Sequence, residues 1–225
     1  MKQLQATLIL IKLHRWRWLS MSIGLTILYY VLILIFTMLR FQEIPNYVAF
    51  ENVFHVYHQI LAHTPSLSDA IPIMTDEAFF ETGFKDPNYY GVATWSYMLI
   101  PPKVLLVLLM AMLLATFSIL KTYTQRTVCM QNKKVKSSAN SNTAAGLGTM
   151  LVSLTNVTLS WVVCCATPNW SVALTMLGLS SSISLWLNPI GTYLTIAGLC
   201  LLVLAITYQA RYLTKVNPSL TRLAN

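Results

Sequence analysis

LSMSIGLTILYYVLILIFTML, residues 19–39, contains no charged side chain and is bounded by Arg17 and Arg40. At a rise of about 1.5 Å per residue, this run covers roughly 30 Å, the thickness of a bilayer's hydrocarbon core. It reads as a membrane-spanning helix and sets the class of the whole chain. Tyr29 and Tyr30 lie near its middle, where bulky packing residues or a hydrogen bond to another helix are expected.

Working outward, the chain before this run ends in Lys12, His14, Arg15, Trp16, Arg17 and Trp18. Alternating arginine and tryptophan at the edge of an apolar run predicts a lipid-interface anchor, formed by Arg15, Trp16, Arg17 and Trp18. No small-residue cleavage site follows the run, so it does not read as a removed signal peptide.

The composition agrees with a membrane class. Of 225 residues, 56% are hydrophobic and only 10% charged, against about 25% charged in a typical soluble domain. From Ser137 to Ala210 the chain runs 74 residues without Asp, Glu, Lys or Arg. The expected fold class is all-α: a multi-pass membrane protein of about four spans in a single membrane domain, with an extramembrane insert. The spans are expected near 19–39, 98–120, either 146–168 or 152–177, and 190–210. Pro101 and Pro102 stand near the entry to the second span, with Lys103 able to snorkel to the interface. A fifth span over 170–187 would put Arg211 and Lys215 on the wrong side.

The charge is sorted along the chain. All seven carboxylates lie between Glu43 and Asp86. Twelve of the fifteen cations gather in three other places: Lys2 to Arg17, Lys121 to Lys136, and Arg211 to Arg222. This is the positive-inside pattern, so both termini and the basic loop 121–145 are assigned to the cytoplasmic side of a cell membrane, and the insert 41–96 to the opposite side. The net charge of +8 is therefore matched to anionic lipid headgroups and not to nucleic acid. Within the insert, residues 47–62 are expected to form a short amphipathic helix. Thr75–Ala78 resembles a helix start, and Asp86–Tyr89 a turn. An insert this elaborate needs a surface to rest on, and other membrane subunits are the expected partners.

Two groups of side chains can carry chemistry. Cys164 and Cys165 are adjacent within the charge-free run, and Pro168 withholds a backbone donor one turn later. Adjacent thiols do not form an unstrained disulfide, but two thiolates can take a soft ion such as copper or mercury. The second group is His55, His58 and His63 with Glu51. On a helix, His55 and His58 share a face, Glu51 stands one turn earlier, and His63 joins only if the chain bends. Imidazoles with a carboxylate suit Cu, Zn, Fe or Mn.

Cys164, Cys165, Pro168, Leu177, Gly178 and Pro189 occur in an order that resembles the first helical pair of the mercuric-ion transport proteins, over residues 160–212. The resemblance implies a vicinal-cysteine hairpin that accepts a metal from the outer side and helps move it inward. Residues 1–145 do not follow the family, and Cys129 stands alone where it has a further cytoplasmic cysteine pair.

Several functions find no residues. The spans hold no histidine, so haem cannot be ligated by paired histidines within the bundle. There is no phosphate-binding glycine loop or dinucleotide fingerprint, and no span has a central carboxylate for a proton relay. No catalytic constellation is legible in this chain alone. The expected function is that of a non-catalytic subunit of a larger membrane complex. The alternative is a soft-metal binding or transport protein.

Overall fold

A computed structural model describes residues 2–87, 93–130, 139–155, 159–161 and 190–216. Cys164, Cys165 and Pro168 lie outside the described residues, and so does the turn expected at Asn188-Pro189. Among the described residues the long apolar segments are helical, as an all-α membrane class requires. To these is added a four-stranded antiparallel sheet absent from the sequence expectation, three strands from the insert and the fourth from Leu159–Trp161.

In chain order the elements are α1 (Lys2–Leu13), α2 (Arg15–Phe41), β1 (Tyr47–Phe50), α3 (Val53–His63), α4 (Leu67–Asp76), β2 (Phe80–Lys85), β3 (Ala93–Leu99), α5 (Pro101–Met130), α6 (Ala139–Thr155), β4 (Leu159–Trp161) and α7 (Gly191–Val216). Three of them, α2, α5 and α7, are long and apolar enough to cross a membrane, over Arg15–Phe41, Pro101–Gln125 and Tyr193–Leu213. Only 11% of the most apolar stretch of α2 is buried by the protein itself. Ile23, Ile27, Val31, Ile35 and Phe36 remain exposed, which water would penalise and lipid would not. These are the features of a multi-pass membrane protein.

Hydroxyl groups inside the apolar helices are satisfied locally. Ser22, Thr26, Thr37, Thr116 and Thr124 each donate to the carbonyl four residues earlier, at 2.8–2.9 Å. A hydroxyl without such a partner would be costly in lipid. α2 stops at Gln42, whose φ of 56° is left-handed and whose N–H donates to the Met38 carbonyl at 2.8 Å. Pro45 follows and blocks a restart.

The chain divides into two units. The first comprises Met1–Leu28, Val107–Ser153 and Tyr193–Asn225. Its core joins Leu10 of α1, Leu120 of α5 and Leu213 of α7, with Tyr123 and Ile206 against them. The Trp18 indole donates to the Thr116 hydroxyl at 3.0 Å, tying α2 to α5. Gln209 donates to Thr124 at 3.3 Å, tying α7 to α5. α6 and α7 cross where two glycines meet. A Cβ on Gly148 would stand 2.6 Å from the Gly198 carbonyl oxygen, and one on Gly198 would stand 2.8 Å from that of Gly148.

The second unit comprises Tyr29–Leu106 and Leu154–Thr192. Its sheet has the order β1-β2-β3-β4, antiparallel throughout. Trp95 and Tyr97 of β3 are buried against Tyr30, Ile33, Leu34, Met38 and Phe41 of α2. Phe41 stacks on Trp95 at 6.0 Å between ring centroids, and Tyr97 donates to the Tyr30 carbonyl at 3.3 Å. β2 approaches β3 so closely at Gly83 that any Cβ there would collide with the Trp95 carbonyl oxygen.

Several sequence expectations are corrected. The helix expected over 47–62 is a strand over Tyr47–Phe50 followed by a helix from Val53, because Asn52 caps the new helix by accepting from the His55 N–H. Thr75–Ala78 ends a helix: α4 stops at Asp76, and β2 follows. The second span, expected from 98, starts at Pro101, because Met98 and Leu99 pair in β3 and proline suits a first helical turn. The loop 121–145 is narrower than expected, since α5 runs to Met130 and α6 starts at Ala139. Neither 146–168 nor 152–177 is one continuous helix. α6 ends at Thr155, and Leu159–Trp161 pairs with β3, with Trp161 opposite Trp95.

Candidate functional site

α3 places His55, His58 and His63 on exposed surface. Gln59, one turn after His55 and one turn before His63, engages both. Its side-chain amide donates to His55 Nε2 at 3.1 Å, and its carbonyl accepts from His63 Nδ1 at 2.9 Å. His63 is thus turned back along its own helix and not toward His55 or His58. Glu51 is not on the helix at all, because α3 starts two residues later. The four residues grouped by sequence are therefore not gathered round one point. Among the described residues, no group of three or more His, Cys, Asp or Glu side chains could hold a metal ion.

Glu51 instead lines a pocket of about 200 Å³ with Asp76, Glu77, Glu81 and Met98. Three turns of sequence bring these acids together: the residue after β1, the end of α4, and the start of β2. Asp76 stands 3.9 Å from the Lys103 ammonium. Glu81 accepts from the Tyr47 phenol at 2.6 Å, and the Lys85 ammonium sits 4.2 Å from the centre of the Tyr47 ring. Burial, reinforced by the hydrogen bond to Glu81 and its negative charge, pushes the Tyr47 phenol up, so it stays a donor at neutral pH. The Tyr57 phenol is likewise pushed up by burial and by Glu77. The pocket concentrates negative charge, and its members are already partly spent on Tyr47 and Lys103.

The arginine and tryptophan anchor falls at the start of α2. Trp16 is 73% exposed, and the Arg15 guanidinium lies 5.8 Å from its ring. Trp18 faces inward to Thr116. Trp16 thus has the exposure of an interfacial residue, while Trp18 ties two helices together. Sequence reasoning missed that second role and also missed the gathering of acids around Glu51. The signal for the latter was the short spacing of Asp76, Glu77 and Glu81, joined to Glu51 only by strand pairing.

No known family, curated protein or solved structure matches the chain.

Proposed function

We propose that this chain is a non-catalytic integral subunit of a larger membrane protein complex in the cell membrane. The observation that carries the reading is the apolar surface of the insert. Ile44, Phe50, Phe54 and Leu67 are 70–87% exposed, and Ile71 and Ile73 follow on α4. These residues lie on short elements or, for Ile44, in the loop before β1, outside the long apolar helices that lipid would cover. Large apolar side chains gathered on an extramembrane segment are the usual mark of an interaction surface. β1, which carries Val48 and Phe50, is also an edge of the sheet with one side unpaired in the described chain. Other membrane polypeptides are the partners that fit.

Native mass spectrometry of the full chain, gently solubilised from its own membrane, tests this. The expected result is a hetero-complex that Phe50→Ser and Phe54→Ser together dissociate while the chain itself persists. A monodisperse monomer or homodimer would overturn it. The alternative proposal is soft-metal binding or transport through Cys164 and Cys165, supported by their adjacency in a charge-free run and by the resemblance to mercuric-ion transport proteins. The same preparation separates the two readings. A lone chain that retains copper or mercury, and loses it when both cysteines become serine, would replace the first reading with the second.

A further inference from the structure

The unit formed by Met1–Leu28, Val107–Ser153 and Tyr193–Asn225 contains twelve of the chain's fifteen lysines and arginines and no aspartate or glutamate. Its cations have no side-chain carboxylate within the unit to balance them. Between the start of α2 and the middle of α5, this unit holds a pocket of about 110 Å³. That is well above the roughly 10–15 Å³ needed to admit one water. Arg17, His14, Ser118 and Thr122 line it, with Met21 and Ile119. His14 Nδ1 is buried and has no hydrogen-bond partner. The Thr122 hydroxyl is spent on the Ser118 carbonyl, at 2.8 Å, while Arg17 and Ser118 bring donors. The nearby Trp18–Thr116 hydrogen bond fixes the spacing of the two walls.

The level of the pocket is informative. On α2 it straddles Arg17, the last charge before the apolar run that starts at Leu19. On α5 it straddles Lys121, the first charge after the run Val104–Leu120. Both walls therefore change from apolar to basic at the same place. Met21 and Ile119 belong to the apolar runs, while Arg17 and Thr122 lie beyond them.

We propose that this pocket binds a phosphate group, with Arg17 as the principal ligand and His14 Nδ1 and the Ser118 hydroxyl as further donors. A guanidinium offers phosphate two parallel hydrogen bonds, and a buried imidazole nitrogen lacking a partner gains one. Phosphate can come from an anionic lipid headgroup or from free inorganic phosphate. The apolar wall of Met21 and Ile119 gives acyl chains a place that free phosphate does not use. The inference rests on the membrane reading, which a separate measurement checks.

The full chain in mild detergent is titrated with phosphatidylglycerol and, separately, with inorganic phosphate, and bound adducts are counted by native mass spectrometry. Flotation with neutral phosphatidylcholine vesicles reads membrane insertion independently. The expected result is saturable binding of one phosphatidylglycerol per chain. Arg17→Gln should weaken it about tenfold, the size expected for loss of a charge-assisted hydrogen-bonded pair. Arg17→Lys, which keeps the charge and is less prone to misfold, should retain part of the affinity, and His14→Ala should lower it several-fold. Binding of inorganic phosphate with the same sensitivity supports the site and names free phosphate as its source. Flotation of the wild type together with no binding of either probe overturns the proposal, as does binding indifferent to all three variants. Failure to float would instead overturn the membrane reading.

Discussion

Trp18 shows how far a single residue can be read. Its place beside Arg15, Trp16 and Arg17 points to the lipid interface, and nothing local reveals that its indole reaches Thr116, 98 positions away in sequence. Thr116 donates to the Met112 carbonyl and accepts from Trp18, so one hydroxyl closes a helix bond and joins two helices. Interhelical hydrogen bonds in membranes average about 0.6 kcal/mol and reach about 1.7. Trp18→Phe should therefore destabilise the purified protein by about 1 kcal/mol in a denaturant titration, part of it lost packing. Thr116→Val should cost a similar amount, and the double variant less than their sum. Strict additivity would show that the bond is not made. The histidines teach the opposite lesson. Their spacing correctly put His55 and His58 on one helix, but Asn52 starts that helix after Glu51 and removes the carboxylate from its face. Asn52 is a capping residue legible in the sequence, and the cap, not the ligand spacing, sets where the helix begins.

At the level of elements, the long apolar helices were legible because lipid imposes a length and a composition on each of them separately. The sheet was not, because strand pairing is a property of distant segments. β3 and β4 are separated by some sixty residues, and Leu159–Trp161 sits in an apolar stretch whose periodicity does not distinguish a strand from a helix. Small residues permit close helix approach, and Gly198 does so with Gly148. A backbone carbonyl oxygen stands within 2.8 Å of each added Cβ, joined at Gly198 by Val152 Cγ2 at 2.8 Å, so moving side chains alone does not relieve the contact and the helices themselves must move apart. Gly148→Ala and Gly198→Ala should each destabilise the protein by about 1–3 kcal/mol, the usual cost of overpacking. Gly146→Ala, at an exposed position with open space around its Cβ, should be neutral or stabilising in the same helix. Thermal unfolding of the three variants in detergent is the check. Equal melting temperatures would mean that α6 and α7 do not cross at these glycines.

Across the whole molecule, charge and strand pairing together set the expected topology. All the carboxylates belong to one unit and most of the cations to the other. The positive-inside rule places the basic ends of the spans in the cytoplasm. α2 then leads out to the insert and α5 leads back to the basic residues after Leu120. β4 pairs with β3, so the chain at Leu159–Trp161 must have returned to the sheet. On the positive-inside pattern α6 is the element expected to supply that return: seventeen residues at about 1.5 Å each span roughly 25 Å. α7 then brings Arg211 back to the basic side. Four crossings are the expectation from this pattern, with α6 shorter than the third helix the sequence suggests. In a cysteine-free background, His58→Cys should be labelled by a membrane-impermeant maleimide added outside sealed cells. Val135→Cys and Arg222→Cys should react only after the membrane is opened. Labelling of positions 58 and 135 from the same side would remove α5 as a crossing. Labelling of 135 and 222 from opposite sides would mean that an odd number of crossings follows the basic loop, and would overturn the four-crossing topology.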